Sequence, residues 1–371
     1  MAFWTQQKKG VNQFCTFPTA EWWKSAKTAG VQFVRLTLDS DKNQVRDKSQ
    51  SQTQNNKHDT GLPPMRSVSQ DFLIGSADNY NGLVPTDLAK LREQLDLAQA
   101  NNIKVVITML SLPGCRGFPS IQQKSDPRLW QEHRFFAQAA TFWRDLAREC
   151  RNHPAVVGYD ILHEPHPANI FLSANSANSA DAAMQQAWEN QIWGSLSDVN
   201  HLYKVIAASI RQVDPETPII LESDLFASPR AFAILFPLDD PKTLYSFHFY
   251  EPREFTGTNV NRAFSYPDKM PAPEGGATVG WDRKTFRQVI KPVIKWTQAH
   301  KIPTSRILVG DFGCNSHADG AKEYVSDAII VFNALGYHWA TQNLSREELV
   351  KFAPTGFHQP AYSPKPRKSG S

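Results

Sequence analysis

The sequence is poor in the features that mark several large classes of protein. Its four cysteines, Cys15, Cys115, Cys150 and Cys314, show no C-x-x-C spacing, which argues against a disulfide-dense scaffold and against a zinc ribbon. No apolar run approaches the ~20 residues that a membrane-spanning helix needs. The first residues, MAFWTQQKKGVN, lack the apolar core of a secretory leader, so residence in the cytoplasm, leaderless export and earlier removal of a leader all stay open. We expect no membrane span.

The charge pattern gives no sign of a nucleic-acid partner. The formal net charge is +4 and is spread along 371 residues, of which 41% are hydrophobic and 20% charged. The one dense basic cluster, at residues 365–368, is Pro-rich and terminal, which is typical of a solvated tail. The length suits one large α/β barrel or two ordinary domains. We expect a monomer that binds no nucleic acid.

Strand-length apolar runs alternate with amphipathic helical stretches along most of the chain. Several of the runs are continuous rather than alternating, as in parallel strands that are covered on both faces. They lie at residues 8–14, 31–38, 103–110, 155–162, 218–221, 244–250, 306–312 and 336–340. Helical stretches lie at 19–29, 86–101, 129–151, 196–213, 284–300 and 321–335, with weaker ones at 229–235 and 346–352. The pattern predicts a (β/α)8 TIM barrel over residues 1–353 and a flexible tail over 354–371.

Three connections are too long to be simple turns: residues 40–84, 165–195 and 251–281. Each one follows a predicted strand and precedes a helix. In a barrel, this order places all three at the C-terminal face, where active sites are built. We therefore expect the connections to wall in a cleft at that face.

Two carboxylates end buried strands on opposite sides of the predicted barrel. Glu164 closes the fourth strand in GYDILHEP, just before Pro165, and Asp311 ends the seventh strand in RILVGDFG. Side chains at the ends of the fourth and seventh strands face each other across the barrel mouth. Two carboxylates that face each other across a cleft are the minimal equipment for glycoside hydrolysis, as an acid/base and a nucleophile or base.

In order and spacing, several fragments resemble glycoside hydrolase family 5, the cellulase-like barrel glycosidases of clan A. VVGYDILHEP and ILVGDFG are similar to the hallmark strands four and seven of that family. YSFHFYEP is similar to its sixth strand, and GYHWA places a tryptophan on the eighth. KKGVN, AGVQFVRL and LPG are similar to its first, second and third strand regions. The resemblance covers most of the chain and implies hydrolysis of a β-linked glucan or mannan without any cofactor.

Position by position, the resemblance implies a role for each of these residues. Glu164 would be the acid/base and Asp311 the nucleophile, with Arg35 holding the charge of Asp311, because a nearby cation lowers a carboxylate's pKa. His248 would lie beside Glu164, and Tyr250 would donate a hydrogen bond to Asp311. Two further positions, His163 and Trp339, would contact the sugar, Trp339 as the floor of the cleavage subsite.

Three positions depart from the family's pattern. Asp311 stands where the family has Glu and is shorter by one carbon–carbon bond, about 1.5 Å. Three outcomes stay open. The backbone could shift so that the enzyme still retains the anomeric configuration, or the wider gap between the two carboxyl groups could admit a water that inverts it. The shorter side chain could also cripple the activity. His163 replaces the Asn that contacts the sugar 2-hydroxyl, and Leu110 stands where a histidine is expected.

Two alternatives to an active glycosidase stay open. The first is a carbohydrate-binding protein on the same barrel that has lost catalysis at these three positions. The second is a metal-dependent hydrolase, since His163 and His166 flank Glu164; Pro165 between them and the lack of a third ligand at helical spacing argue against it. We expect neither metal nor cofactor.

Overall fold

The computed structural model describes residues 1–14, 17–37, 70–116, 126–167, 186, 188–257, 264–273, 277–352, 356 and 357. Eight strands form a closed parallel barrel in which each strand pairs with its neighbours in the chain and the last pairs with the first. The predicted TIM barrel is confirmed. The strands are β1 Lys9–Gln13, β2 Phe33–Leu36, β3 Lys104–Thr108, β4 Val156–Asp160, β5 Ile219–Glu222, β6 Thr243–Phe249, β7 Ile307–Phe312 and β8 His338–Thr341.

Helices cover the outside of the barrel. The strands are buried along nearly their whole length because the helices shield the outer face and side chains fill the interior, which explains the unbroken apolar runs. The helices are α1 Ala20–Ala29, α2 Pro85–Ala100, α3 His133–Cys150, α4 Val199–Arg211, α5 Arg283–Val289, α6 Lys291–Ala299, α7 Ala321–Leu335 and α8 Arg346–Phe352. Short helical turns lie at Asp224–Ala227, Pro229–Ile234 and Arg253–Thr256.

Local sequence chemistry explains where several helices begin. The Thr19 side chain accepts a hydrogen bond from the backbone N–H of Trp22, and Asp198 accepts one from the backbone N–H of Asn200, so both cap the N-termini of their helices. Pro85 opens α2, where its missing N–H costs nothing. The single predicted helix at 284–300 is two helices, because Pro292 follows a break at Ile290.

An apolar plug closes the N-terminal end of the barrel. Trp4, in the turn Ala2–Thr5, packs with Phe33 of β2 and with one interior residue from each of β3 to β8, and its Nε1 donates to Val157 O at 2.9 Å. Because this end is filled by apolar side chains, polar groups inside the barrel collect at the opposite, C-terminal mouth.

The long connections are described only in part, since residues 38–69, 168–185 and 258–263 lie outside the described residues. Short antiparallel hairpins pair Gln70–Asp71 with Gly75–Ser76 and Lys269–Pro271 with Thr278–Gly280. We expected the barrel domain to end at residue 353. Phe357 is nevertheless buried and stacks on Trp339, so the chain packs against the barrel at least as far as residue 357. Across the described helices, none is long and apolar enough to cross a membrane.

Gly310, within β7, allows side chains of neighbouring strands to approach its backbone closely in the upper barrel. A Cβ added there would overlap Ser246 Oγ and lie 3.1 Å from Arg35 Nη1. Gly310→Ala should therefore lower the free energy of unfolding by about 1–3 kcal/mol in urea titrations. Gly280→Ala is the control, because a Cβ there meets nothing within 4 Å. Equal losses in the two variants would contradict this account.

Candidate active site

Polar side chains from five strands and the segments after them meet at the C-terminal mouth. They come from β2, β4, β5, β6 and β7. The cluster consists of Arg35, Asp160, His163, Glu164, Glu222, His248, Tyr250 and Asp311. Only some of these groups reach the surface of the cleft. Glu164 is 14% exposed and Asp311 is 8% exposed, whereas Glu222 has no exposed surface.

Arg35 is the fully buried cation at the base of the cluster. Its guanidinium forms ion pairs with Asp160, at 2.6 Å, and with Glu222. Its Nη1 donates to the carbonyl oxygen of Gly310 at 2.6 Å and to Asn12 Oδ1 at 3.2 Å. Burial alone would lower the pKa of Arg35, but the neighbouring carboxylates outweigh burial and raise it. Arg35 therefore stays charged.

The expected pairing of Arg35 with Asp311 is absent among the described contacts. The guanidinium is already occupied by Asp160 and Glu222, and toward β7 it reaches the carbonyl oxygen of Gly310 rather than the carboxylate of Asp311. Asp311 Oδ1 instead accepts a hydrogen bond from the hydroxyl of Tyr250 at 2.7 Å, the contact that the resemblance implied. Arg35 influences Asp311 through charge alone.

His248 lies between two carboxylates. Its Nδ1 is 2.8 Å from Glu164 Oε1, and its Nε2 is 3.1 Å from Glu222 Oε1. Burial works to lower the pKa of His248, but the charges of Glu222 and Glu164 and their hydrogen bonds raise it to about 10. At neutral pH, His248 is therefore an imidazolium that donates one hydrogen bond to each carboxylate.

Glu164 has an unusual backbone conformation. Its φ is 50°, in the left-handed region that costs a non-glycine residue on the order of 1 kcal/mol and recurs at functional sites. It lies four residues past the end of β4, and its backbone N–H donates to Glu222 Oε2 at 2.7 Å. This conformation turns the side chain of Glu164 toward His248.

Sequence reasoning missed Glu222 and Asp160. Glu222 ends the apolar run of β5 just as Asp311 ends that of β7, so the same signal was present in IILES. Asp160 lies inside VVGYDILHEP, four residues before Glu164, and was passed over as part of the strand. Both residues are fully buried partners of Arg35.

The structure does not expose Trp339 to the cleft. Its side chain has no exposed surface, donates from Nε1 to Asn333 Oδ1 of α7 at 3.0 Å, and packs against Phe312 and Phe357. The expectation that Trp339 forms a sugar floor was therefore wrong. The outer face of β8 carries this residue into the layer between strand and helix.

His163 lies deeper in the site than the resemblance implied. It is 7% exposed, and its ring packs against Phe14 and His248, with ring centroids 4.9 and 4.8 Å away. Its Nδ1 is 3.5 Å from Arg35 Nη2 and 3.8 Å from Glu222 Oε1. The ring therefore faces the buried charges as well as the cleft.

The charges of the site shift the pKa values of both carboxylates against the roles that hydrolysis needs. Burial raises the pKa of Asp311, against the pull of nearby cations. The pKa of Glu164 is lowered despite its burial, because His248 donates a hydrogen bond to it and carries charge. A general acid should hold its proton and a nucleophile should be ionised. Each pKa is therefore shifted in the direction opposite to the one that its role needs.

Glu164 and two histidines near it could contact one metal ion. Ligand atoms of His163, Glu164 and His248 lie within 4.8 Å of one another, so a third possible ligand comes from β6 rather than from helical spacing. Both nitrogens of His248 already contact carboxylates, and Arg35 is 3.5 Å from His163. A divalent cation there would have to displace a proton and face a guanidinium, so the geometry favours hydrogen bonding over metal binding.

The family profile of Cellulase (glycosyl hydrolase family 5) matches residues 8–347. The chain belongs to glycosyl hydrolase family 5. Endoglucanase C of Acetivibrio thermocellus is 22% identical over 271 residues, which are 67% of this chain and 69% of that protein. Endoglucanase C307 of Clostridium sp. strain F1 shows the same identity and coverage.

Several solved structures share the fold of this chain. A hyperthermophilic endo-β-1,4-glucanase in complex with substrate aligns with a TM-score of 0.59 at 16% identity, covering 93% of this chain and 91% of that one. Cel5A of Thermotoga maritima, in complex with a mannotriose substrate, aligns with a TM-score of 0.59 at 15% identity, covering 93% and 92%. At these identities, the likeness concerns the barrel alone.

The raised pKa of Asp311 makes its charge a cost to folding. Because the folded pKa lies above the ordinary 3.8, the cost is absent at lower pH and appears as pH rises through the folded value. Asp311→Asn should therefore raise Tm at pH 7, and the gain should vanish at pH 3. Asp239→Asn, at an exposed position, is the control for thermal melts. A loss of stability in Asp311→Asn at pH 7 would refute this interpretation.

Proposed function

We propose that this family 5 glycoside hydrolase cleaves β-linked glucan or mannan chains with Glu164 and Asp311 as its two carboxylates. The observation that carries the proposal is their placement. Opposite strands of the barrel bring both to one mouth, where Glu164 is partly exposed and hydrogen-bonded to His248, and Asp311 is nearly buried and hydrogen-bonded to Tyr250. Two such groups flanking a sugar are what glycoside hydrolysis requires.

In the proposed reaction, Glu164 protonates the leaving oxygen as the glycosidic bond breaks. Asp311 either attacks the anomeric carbon or removes a proton from a water that attacks it. The hydroxyl of Tyr250 keeps one oxygen of Asp311 fixed and leaves the other for this work. Because His248 carries the proton at neutral pH, it passes that proton to Glu164 across their 2.8 Å contact as the bond breaks.

The shorter Asp311 allows two stereochemical outcomes. Retaining enzymes hold their carboxyl groups about 5–5.5 Å apart and inverting enzymes about 6.5–9.5 Å. One carbon–carbon bond less, about 1.5 Å, shifts a retaining spacing toward the inverting range. The anomer that forms first distinguishes the two.

The relatives and one exposed aromatic residue support a β-glucan or β-mannan substrate. The relatives are named endoglucanases, and one structure of the shared fold was obtained with mannotriose. Trp193, in the connection between β4 and α4, is 66% exposed and stacks at 6.3 Å on buried Trp188. Flat aromatic faces of this kind stack on the apolar faces of sugars.

A second candidate is a carbohydrate-binding protein with impaired catalysis. The observation in its favour is that Arg35 pairs with Asp160 and Glu222, which leaves Asp311 without a direct cationic partner among the described contacts and with a raised pKa. A nucleophile that retains its proton reacts poorly.

Cleavage of β-glucan and β-mannan oligosaccharides tests the proposal, with the first-formed anomer followed by NMR. Glu164→Gln should lower kcat/KM roughly 10²–10⁴-fold, because it removes the acid, and Asp311→Asn should lower it at least as much. Glu93→Gln and Asp239→Asn, both exposed, are the matched controls and should retain wild-type rates.

Asp311→Glu separates the two candidates. In an active enzyme built around the shorter acid, the added methylene should reduce kcat/KM on the order of 10²-fold. A wild type that cleaves none of these substrates, while Asp311→Glu gains activity, would refute the proposal and support the binding protein.

A further inference from the structure

Glu222 is a buried carboxylate whose two oxygens serve different partners. Its Oε2 accepts the backbone N–H of Glu164 at 2.7 Å. Its Oε1 lies against the Arg35 guanidinium and 3.1 Å from His248 Nε2. With no exposed surface, it cannot touch a substrate in this conformation. Its effect must therefore pass through the residues that it holds.

We propose that Glu222 is a positioning residue, which holds Glu164 in place and keeps the proton of His248 available to it. The inference rests on the proposed function, because it assigns Glu164 the acid's role. Glu222, on β5, is thus a third functional carboxylate beside Glu164, which follows β4, and Asp311 on β7.

The first part of the role is geometric. The φ of 50° at Glu164 turns its backbone N–H inward, where Glu222 Oε2 accepts it. Without that acceptor, a buried donor would be left unsatisfied in a conformation that is already unfavourable. The contact therefore fixes the point from which the side chain of Glu164 reaches the cleft.

The second part of the role is electrostatic. His248 faces Glu164 after β4, Glu222 on β5 and Asp311 on β7, with Arg35 on β2 as the opposing cation. The ring of His163 also packs on it, at 4.8 Å. Of these groups, the carboxylates of Glu222 and Glu164 contact its two nitrogens. Two acceptors on opposite sides of an imidazole stabilise the form that carries both protons.

Each proton in the proposed reaction has a source and a destination. The breaking C–O bond leaves its electron pair on the leaving oxygen, which takes a proton from Glu164. Glu164 receives that proton from His248 Nδ1, and His248 becomes a neutral imidazole whose remaining proton, on Nε2, stays with Glu222. If Asp311 attacks, water then cleaves the bond between the sugar and Asp311 and gives one proton to Glu164, which passes it back to His248 Nδ1. If Asp311 acts as the base, the proton of the attacking water ends on Asp311 and leaves to solvent, and solvent restores the proton of His248. No other reactant is needed.

The test compares leaving groups in Glu222→Gln. The amide can still accept from the Glu164 N–H but carries no charge, so proton supply fails while the shape is kept. For a cello-oligosaccharide, whose leaving alkoxide needs a proton, kcat/KM should fall roughly 10²-fold. For a dinitrophenyl cellobioside, whose leaving phenolate needs none, kcat/KM should change little.

Asp160→Asn is the matched control, since it also removes one carboxylate from Arg35 but leaves the contacts of His248 and Glu164 unaltered. It should affect both substrates by the same factor. An equal fall on both substrates in Glu222→Gln would mean a purely structural role and would overturn the proposal.

Imidazole ¹⁵N NMR gives a readout that needs no turnover. The His248 signal, assigned by its loss in His248→Asn, should be that of an imidazolium at pH 7 in the wild type and should titrate at lower pH in Glu222→Gln. A neutral His248 in the wild type, or an unchanged titration in the variant, would overturn the proposal. If the wild type cleaves no glucan or mannan but His248 titrates as expected, the proposed function fails while the contact between Glu222 and His248 stands.

Discussion

The buried guanidinium of Arg35 is the constraint on which the rest of the site depends. It sits without solvent contact, linked by ion pairs and hydrogen bonds to β4, β5 and β7. Removing one partner of a buried pair typically costs about 3–5 kcal/mol, because an uncompensated charge is left behind. The ends of β4, β5 and β7 must therefore stay close to Arg35, and this requirement fixes the positions of the polar side chains at the mouth. Trp4, at the other end, fills the interior and leaves this mouth as the polar face.

The same cluster of buried charges determines which ionisable groups at the mouth are protonated. Arg35 and His248 are two cations among four carboxylates, Asp160, Glu164, Glu222 and Asp311, so the carboxylates cannot all be fully compensated. Burial raises the pKa of Asp160 to about 6 and raises that of Asp311 as well. Glu164 stays ionised because His248 donates to it. In this mechanism, the acid acquires its proton from His248 rather than from its own burial.

The sequence allowed the barrel to be predicted, because eight apolar runs alternate with helical stretches at the spacing of one strand and one helix. It also allowed Glu164 and Asp311 to be located, since a carboxylate that ends a buried barrel strand lies at the mouth. The direction of Trp339 could not be predicted. A strand covered on both faces shows no alternation, so nothing in GYHWA distinguishes inward from outward. The partners of Arg35 depend on which buried carboxylates lie nearest in space, and that depends on the whole barrel.

The pH dependence of kcat/KM on a β-glucan oligosaccharide tests the proton-storing role of His248 most directly. If His248 stores the proton, the activity should persist well above the range of a carboxylic acid and fall toward its pKa of about 10. The acid limb should lie above the ordinary aspartate value of 3.8, because Asp311 must ionise against burial. An alkaline limb between about pH 5 and 7, the range of a general-acid glutamate, would show that Glu164 acts as an isolated acid and would contradict that role.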